Sequence, residues 1–414
     1  MFTIDDQVKI YNEMISPGVV SEVRSLSKVV DRVKKDYTKI DAKGKYASQK
    51  MNFGGSQAFG ARSTRVYPTA QEITAGEALL RVKRFQMFSL GFDGLSLELA
   101  EKGGSPIDPE DFEQQELFKG MADDMSRQLM GDGSGVICVA NGLGSTTKTL
   151  TVDHPLYAKP ASLFFNSKRV IDGYLAAAQE INSDPVDVVT SDVVLTLLNN
   201  ASWTDDANIY GEDTYTAAEA VGKGEIMGLC GIVRETDPPA PNSSAGLQGL
   251  LVSGYPLWKA KLWSNSDVVR PFEEDILIKA LQYAEKRGKI TVLLITEGIF
   301  RVWKQYLDNY KVLGPEPKSM WGGWTALPFY YDGRIIPMVQ DLYVPDGEIM
   351  GLAEDEFTLH LTNKAWITWE KVGGAILQKV ANENAFVSEG HIFGNLGVRS
   401  RAPHFRIQDI EEPS

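Results

Sequence analysis

The sequence predicts an α+β protein of two or three lobes, and three observations indicate this fold class. The chain has 414 residues, whereas a typical domain has roughly 150. Apolar residues follow helical spacing in some stretches and strand-type alternation in others. Hydrophobic residues make up 43% of the chain and charged residues 23%, which are ordinary globular values. Disordered, collagen-like and coiled-coil classes are therefore excluded.

The length of the apolar runs and the number of cysteines indicate the cellular environment of the protein. The longest apolar runs, such as residues 292–295, are far shorter than the ~20 residues that a membrane-spanning helix needs. The chain opens without a basic and then apolar leader, so we expect a soluble protein with no export signal and no membrane partner. Cys138 and Cys230 are the only cysteines. This number fits a reducing cytosol and leaves at most one disulfide.

Charge is distributed unevenly along the chain. The formal net charge is −13, but residues 1–90 carry 15 Lys/Arg against 9 Asp/Glu, and residues 91–414 carry 27 against 46. This asymmetry is typical of a nucleic-acid arm or of an arm that lies on acidic surfaces of sibling subunits. The acidic body argues against direct wrapping of DNA, because nucleic-acid binding needs a clustered basic face.

The first predicted element is an amphipathic helix over residues 18–39. Its apolar side chains recur every three or four residues, and a second stripe on the same helix is basic. The basic stripe is either a solvated face or a surface that docks on an acidic partner. The apolar stripe comprises Val19, Val23, Leu26, Val30 and Val33, and the basic stripe Arg24, Lys28, Arg32, Lys35 and Lys39.

Residues 40–85 are predicted to form an extended β-hairpin that leaves the body. The stretch has five glycines and few large apolar side chains, and six basic residues from Lys39 to Arg65 are opposed only by Asp41. A plain loop of this length would be unusual inside a compact domain. Because an isolated hairpin is marginally stable, we expect it to lie on another surface.

A long helix is predicted over about residues 108–130. Asp108 can cap its first turn, and Pro109 suits the first helical position because its missing N–H costs nothing there. Apolar residues then recur mostly every four positions from Phe112 to Leu129, and Gly131 can end the helix.

The remaining chain divides into a β-rich part and a second lobe. Residues 135–151 and 187–209 have strand-type patterns, with 205–223 read as a loop or insertion and the proline-rich 238–244 as a linker. Two helices, 271–287 and 297–310, flank a buried strand at 290–295. Strands then follow over 324–361, with hairpin turns expected at Asp332-Gly333 and Asp346-Gly347, and again over 375–407.

Motifs that carry catalysis or metal binding are weak in this sequence. The four histidines lie far apart, the Gly-x-Ser-x-Gly elbow is absent, and residues 142–149 have Thr147 where a phosphate loop needs glycine. Acid clusters at 108–111, 205–206 and 354–356 do not have calcium-loop spacing, so we interpret them as a helix cap and solvated loops. We therefore expect no catalytic residues, no metal and no cofactor. The histidines are His154, His360, His391 and His404.

Several short motifs follow one another in a fixed order along the chain. They are residues 60–62 (GAR), 129–135 (LMGDGSG), 228–233 (GLCGIV), 247–249 (LQG), 255–258 (YPLW) and 322–329 (GGWTALPF). In their order and spacing over roughly residues 30–400, these motifs resemble those of a tailed-bacteriophage major capsid protein of the Hong Kong 97 fold.

This resemblance implies a division of the chain into domains. Residues 1–40 correspond to an N-terminal arm and 41–88 to the extended loop that crosses a neighbouring subunit. Residues 89–230 correspond to the peripheral domain, with its spine helix at about 108–130 and a β-rich insertion. Residues 231–350 correspond to the axial domain, and 351–414 return to the peripheral domain and end in a C-terminal tail.

The resemblance also implies a function and partners. Members of the family assemble as hexamers and pentamers into icosahedral shells that enclose double-stranded DNA without sequence-specific contact. The expected partners are copies of the same chain, a portal protein, and a scaffold or decoration protein, with assembly in the cytoplasm of the host bacterium and the virion as the final location. Only about 40 residues precede the hairpin, so we expect a separate scaffold or none, and no lysine–asparagine cross-link is assigned.

The candidate intersubunit contacts are basic residues of the hairpin, which would meet the acidic bodies of other copies. Two other functions remain open: an encapsulin-like compartment shell with the same fold, and a soluble enzyme that uses one of the acid clusters. The contact candidates are Lys43, Lys45, Lys50, Arg62 and Arg65.

Overall fold

The computed structural model describes most of the chain from the end of the basic N-terminal stretch onward. The described residues are 33–37, 46–52, 75–94, 109–142, 144–154, 169–172, 179–180, 186–187, 193–203, 205, 207–211, 225–239, 246–266, 268–309, 326–364, 366–371, 376–381 and 383–412.

The described elements are four α-helices and twenty-one strands. The helices are α1 (Pro109–Met130), α2 (Leu229–Ile232), α3 (Glu274–Glu285) and α4 (Glu297–Asn309). The strands are β1 (Lys34–Asp36), β2 (Tyr46–Asn52), β3 (Ala75–Arg81), β4 (Lys83–Asp93), β5 (Val136–Ala140), β6 (Gly144–His154), β7 (Arg169–Asp172), β8 (Gln179–Glu180), β9 (Val186–Asp187), β10 (Val193–Trp203), β11 (Asn208–Gly211), β12 (Lys261–Trp263), β13 (Val292–Ile295), β14 (Leu327–Tyr331), β15 (Arg334–Gln340), β16 (Ile349–Leu352), β17 (Phe357–Leu361), β18 (Thr368–Trp369), β19 (Gln378–Lys379), β20 (Ala385–Val398) and β21 (Phe405–Ile407).

The first sheet is built around β20, its longest strand. β20 pairs with β4 along its N-terminal part and with β17 along its C-terminal part, while β18 and β19 add to it and β1 lies parallel to β17. Alternate residues of β4, namely Phe88, Leu90 and Phe92, point into the main core. Helix α1 packs against this face of β4.

The second sheet has the strand order β12-β21-β16-β13-β15-β14 and is covered on both faces. All four residues of β13 are buried, because Leu293 and Ile295 pack against α3 and α4 while Val292 and Leu294 face the main core. This two-sided burial explains the continuous apolar run in the sequence. The last strand, β21, also belongs to this sheet.

A third sheet of seven strands lies between α1 and α2 in the chain, with the order β8-β7-β11-β5-β6-β10-β9. Neighbouring strands in this order are all antiparallel. The sequence assigned residues 205–223 to a loop or insertion. That prediction is wrong for Asn208–Gly211, which pairs with β5 and β7 as β11.

The predicted hairpin is present as the antiparallel pair β2–β3, which is in register over seven residue pairs from Tyr46 and Arg81 to Asn52 and Ala75. One face of this pair is buried within the same chain through Ala47, Met51 and Ala78. These strands therefore lie on another surface, as expected, but that surface is the main core of the same chain. Residues 53–74, between the two strands, lie outside the described part.

Other helix and strand predictions have mixed outcomes. The helices expected over 108–130, 271–287 and 297–310 are confirmed as α1, α3 and α4, and the Asp332-Gly333 hairpin turn joins β14 to β15. The helix over 18–39 is wrong at Lys34–Asp36, which is β1, and its other residues except 33 and 37 are not described. The turn at Asp346-Gly347 does not close a hairpin, because β15 and β16 both pair with β13 and not with each other.

The end of α1 meets α2 at a close backbone contact. A Cβ atom on Gly228 would lie 2.4 Å from the carbonyl oxygen of Gln128, 2.6 Å from that of Leu129 and 2.5 Å from that of Gly131. The Gly231 N–H also donates to the Gly131 carbonyl at 3.3 Å. Residues 129–135 and 228–233, two of the motifs noted in the sequence, are thus packed against each other.

We predict opposite effects of alanine at two glycines of this region. Gly228→Ala should lower the free energy of unfolding by about 3 kcal/mol or more, because none of the three oxygens can move without breaking the end of α1. Gly120→Ala, inside α1, should raise it by about 0.5–1 kcal/mol, because an added Cβ meets no atom within 4 Å. Urea unfolding of both variants checks this, and equal effects would contradict the packing described.

Candidate functional site at the base of the hairpin

The hairpin joins the first sheet through two irregularities of one extended strand. β3 ends at Arg81 and β4 begins at Lys83, so the ladder breaks at Val82. The register between β4 and β20 shifts where Gln86 pairs with Ile392 and Arg84 with Phe393, which leaves Phe85 as an extra residue. A break and a bulge this close together let a strand change direction. Local contacts must therefore fix the direction in which the hairpin leaves the first sheet.

Three hydrogen bonds hold the strand on either side of the break. The Leu79 N–H donates to the Gln248 carbonyl at 3.0 Å, and the Asn395 Nδ2 group donates to the Arg81 carbonyl at 2.8 Å. The Lys83 ammonium donates to the backbone carbonyl of Glu225 at 2.5 Å. The last two contacts fix the residues that immediately flank Val82.

Lys83 is a buried cation. Its residue is only 5% exposed, and burial lowers the pKa of its ammonium to about 8, although the charge of Glu225 counteracts this shift and that of Arg81 adds to it. The ammonium thus remains largely charged at neutral pH. A buried charge without partners would be strongly destabilising, so the acceptors around it determine where this strand can lie.

The Glu225 side chain connects Lys83 to helix α1. Both oxygens of the Glu225 carboxylate accept from the Arg127 guanidinium, one of them at 3.0 Å. Arg127 also donates from Nη2 and Nε to Asp124 Oδ1 at 2.9 and 3.1 Å. The Gln86 Nε2 group of β4 donates to the other Asp124 oxygen at 2.5 Å. We call Lys83, Gln86, Asp124, Arg127 and Glu225 the polar ring, because their contacts begin and end on β4.

Arg127 is the central charge of the polar ring and is fully buried at 1% exposure. Burial alone would lower the pKa of its guanidinium, but the charges and hydrogen bonds of Glu225 and Asp124 outweigh burial and raise the pKa above its ordinary value. The two cations and two carboxylates of the ring balance one another. Such a cluster stabilises a fold weakly, because desolvation offsets most of the attraction, yet loss of one member is costly.

A third buried cation, Arg401, lies in the connection between the two main sheets. It follows β20 of the first sheet and precedes β21 of the second, and its residue is fully buried. Burial lowers the pKa of its guanidinium to about 10, so it is charged at neutral pH. Its donors bond to four backbone carbonyls at 2.8–3.0 Å, those of Ile232, Arg234, Thr236 and Trp258.

His404 lies beside Arg401 at the same crossing. The Ala353 N–H donates to its Nδ1 atom at 3.2 Å, and its ring packs on Phe357 with centroids 4.5 Å apart. Burial lowers the pKa of this imidazole to about 3, helped by the nearby charge of Arg401. The ring must therefore stay neutral, because a proton on Nδ1 would remove the acceptor for Ala353.

Four of the five predicted contact residues lie outside the described residues: Lys43, Lys45, Arg62 and Arg65. The fifth, Lys50, lies in β2 at the register position opposite Glu77. Whether these residues contact other copies stays a prediction. Of the predicted acid clusters, Glu356 pairs with Arg399 at 3.0 Å and Asp205 accepts from the Gly142 N–H at 2.7 Å, so both serve local structure.

Sequence reasoning missed the polar ring. One signal was present: Asp124 and Arg127 lie among the apolar residues Met121, Met125 and Leu129 of a predicted helix. In the structure residues 121–130 are all buried, so those charges must be paired internally. Glu225 and Lys83 lie 98 and 44 residues away from Arg127, and spacing alone could not identify them as its partners.

Neither a metal centre nor a membrane span is found in the part of the chain that the structure describes. Within it, no three His, Cys, Asp or Glu side chains come close enough together to hold a metal ion. Over the same residues, no helix has both the length and the apolar character needed to cross a membrane. Both cysteines are buried, and they do not form a disulfide.

No protein-family model and no curated protein matches the sequence, but solved structures do. The subunit of the cyanophage A-1(L) capsid asymmetric unit aligns over 96% of this chain and 93% of its own, at 12% identity and a TM-score of 0.52. The capsid of a native GTA particle aligns over 92% and 90% of the two chains, at 7% identity and a TM-score of 0.46. The SrpI encapsulin complex of Synechococcus elongatus aligns over 93% and 87%, at 9% identity and a TM-score of 0.44.

The likeness to the cyanophage capsid subunit defines the class of fold. The chain has the α+β fold of a phage capsid subunit, with a hairpin, a long helix whose second half is buried, and sheets between which the chain passes more than once. The fold class expected from the sequence is confirmed. Among the three structures, only the cyanophage capsid exceeds a TM-score of 0.5, and it is the one to which the fold assignment refers.

His404 predicts how stability depends on pH. Its folded pKa lies below the unfolded value of 6.5, so the unfolded chain binds a proton that the native chain does not. The stabilisation is complete above pH 6.5 and is lost as pH falls toward 3. Between pH 7.5 and 5 this single group should cost about 2 kcal/mol.

Urea midpoints of wild type and His404→Gln at the two pH values measure this dependence. The variant should lose less stability on acidification than wild type, whatever its stability at pH 7.5. Lys286→Gln, which changes an exposed side chain after α3, is the control and should keep the wild-type difference. An unchanged pH dependence in His404→Gln would show that the imidazole is not held neutral.

Proposed function

We propose that this chain is the major capsid protein of a tailed bacteriophage, which assembles as hexamers and pentamers into an icosahedral shell around double-stranded DNA. The observation that supports it most is the likeness to the cyanophage capsid subunit, because it extends over nearly the whole of both chains and not over one shared module. The order of motifs in the sequence supports the same function independently.

The physical character of the molecule agrees with a structural role. The buried titratable groups described above are engaged in positioning backbone, since Lys83 and Arg401 donate to carbonyls and Asp124 and Glu225 accept from Arg127. No base lies beside an activated nucleophile among them, which is the arrangement that covalent catalysis requires. We therefore assign the protein no catalytic role.

The proposal includes the partners and regions expected from the sequence. The partners are copies of the chain, a portal protein, and a scaffold or decoration protein, with DNA held without sequence-specific contact. The regions are an arm (1–40), an extended loop (41–88), a peripheral domain (89–230 with 351–414) and an axial domain (231–350). The positive charge of residues 1–90 and the negative charge of the remainder favour contacts between the hairpin of one copy and the body of the next.

The experiment is negative-stain microscopy of the recombinant full-length protein after expression in bacteria. We expect closed, regular shells from the chain alone or on co-expression of neighbouring phage genes, because identical subunits close on themselves by repeating the same contacts. A chain that stays monomeric at high concentration, with or without co-expressed neighbouring phage genes, would exclude the proposal. Double-stranded DNA in particles from infected cells distinguishes a capsid from a compartment shell with an enzyme cargo.

The basic contact residues can be tested in the same assay. Arg62→Glu combined with Arg65→Glu should block shell formation while the subunit stays in solution, because each reversal replaces attraction to an acidic neighbour by repulsion. Lys286→Glu combined with Lys289→Glu reverses two charges at exposed positions outside the hairpin and should assemble normally. Normal particles from the hairpin variant would overturn the contact assignment and leave the shell function intact.

A further inference from the structure

We propose that the polar ring couples the orientation of the β2–β3 hairpin to helix α1, with Lys83 as the positioning residue at the pivot. This inference deepens the proposed function, because in a shell the direction of the hairpin would decide which neighbouring surface it meets. Its evidence, however, lies entirely within one subunit.

The pivot follows from the strand pairing. β3 pairs with β2, whereas β4 pairs with β20 over ten residue pairs, and the change of partner takes place across the single residue Val82. A strand whose two halves belong to different sheets can bend where they meet. Val82 is flanked by Arg81 and Lys83, which are the two residues held by Asn395 and Glu225.

The coupling follows from the closure of the ring. From Lys83 the contacts pass to the backbone and then the carboxylate of Glu225, and from there to Arg127 of α1. They return through Asp124, one helical turn earlier in α1, to Gln86 of β4. Helix α1 is thus linked to β4 at two points, through Glu225 to Lys83 and directly to Gln86, one on each side of the bulge at Phe85. Because Lys83 adjoins Val82, a rotation of the hairpin that displaces Lys83 would break its bond to Glu225 or move the helix.

The energetics of buried charges indicate that the polar ring fixes the orientation of the hairpin more than it stabilises the fold. Its four charges are buried, and apolar residues of similar volume commonly replace such clusters with little loss or a gain in stability. The hydrogen bonds have narrow distance and angle requirements, which apolar packing lacks. Charged groups at this place consequently specify one hairpin direction.

Other contacts of the hairpin limit the size of the effect. Met51 and Ala78 pack in the main core, and the Leu79 N–H bonds to Gln248. Loss of Lys83 should therefore loosen the hairpin without detaching it. β4 should be unaffected, because its pairing with β20 does not involve the Lys83 side chain.

The test is amide hydrogen exchange of the full-length subunit, read by mass spectrometry at Ala75–Arg81 and at Lys83–Asp93. In Lys83→Met we expect exchange in Ala75–Arg81 to rise about tenfold, while Lys83–Asp93 keeps the wild-type rate. Lys286→Met, which removes an exposed lysine after α3, is the matched control and should change neither segment.

A second variant separates positioning from charge balance. Lys83→Met leaves one excess negative charge in the ring, whereas Lys83→Met combined with Glu225→Gln is neutral again and keeps the Glu225 backbone carbonyl. The double variant should recover the urea midpoint of wild type and still show fast exchange in Ala75–Arg81. Wild-type exchange in this variant, or an equal rise in both segments, would overturn the coupling.

Particle formation by the same variants distinguishes this inference from the proposed function. If wild type forms shells and the double variant forms fewer or irregular ones, the orientation of the hairpin matters for assembly. If wild type forms no shells, the proposed function fails, but the exchange data still decide whether Lys83 holds the pivot. Regular wild-type shells from a double variant with wild-type exchange would refute the coupling and leave the capsid function standing.

Discussion

Complete burial of the second half of α1 is the constraint on which the described structure depends. Residues 121–130 have no exposed side chain, although Asp123, Asp124 and Arg127 are among them. Each charge must find a partner inside the protein, and the partners come from distant segments. Glu225 binds Arg127 and Gln86 binds Asp124 on one side of the helix. On the other side, the Tyr343 hydroxyl donates to Asp123 at 2.5 Å. Pairing the buried charges of this one helix thus fixes the positions of the hairpin, the segment before α2 and a loop of the second sheet.

The two main sheets are not independent units. The chain passes between them after β16 and again after β20. Arg401 and His404 lie in the second connection, where the Arg401 guanidinium donates to backbone carbonyls and His404 Nδ1 accepts from the Ala353 N–H, just after β16. The second sheet also gives one face of β13 to the same core that α1 occupies. A subunit built in this way transmits a displacement at one place to others, because its buried polar groups tolerate few alternative positions.

The likeness to the cyanophage capsid subunit concerns the fold, whereas the buried charges concern the side chains of this chain. At 12% identity the cyanophage capsid subunit shares the arrangement of elements but few side chains. The polar ring consists of contacts between this chain's own side chains and does not depend on that likeness. The shared arrangement of elements thus defines the fold class, and the buried charges indicate how the subunit holds its shape.

The sequence by itself determined the helices α1, α3 and α4, the apolar strand β13 and the hairpin β2–β3, because periodicity, capping residues and turn residues act over a few neighbouring positions. It also determined the uneven charge and the order of motifs behind the fold class. Only the tertiary structure decided that Lys34–Asp36 is a strand, that Asp346-Gly347 closes no hairpin, and that Lys83 meets Glu225. Those outcomes depend on pairing between residues far apart in the chain, where burial and desolvation outweigh local preference.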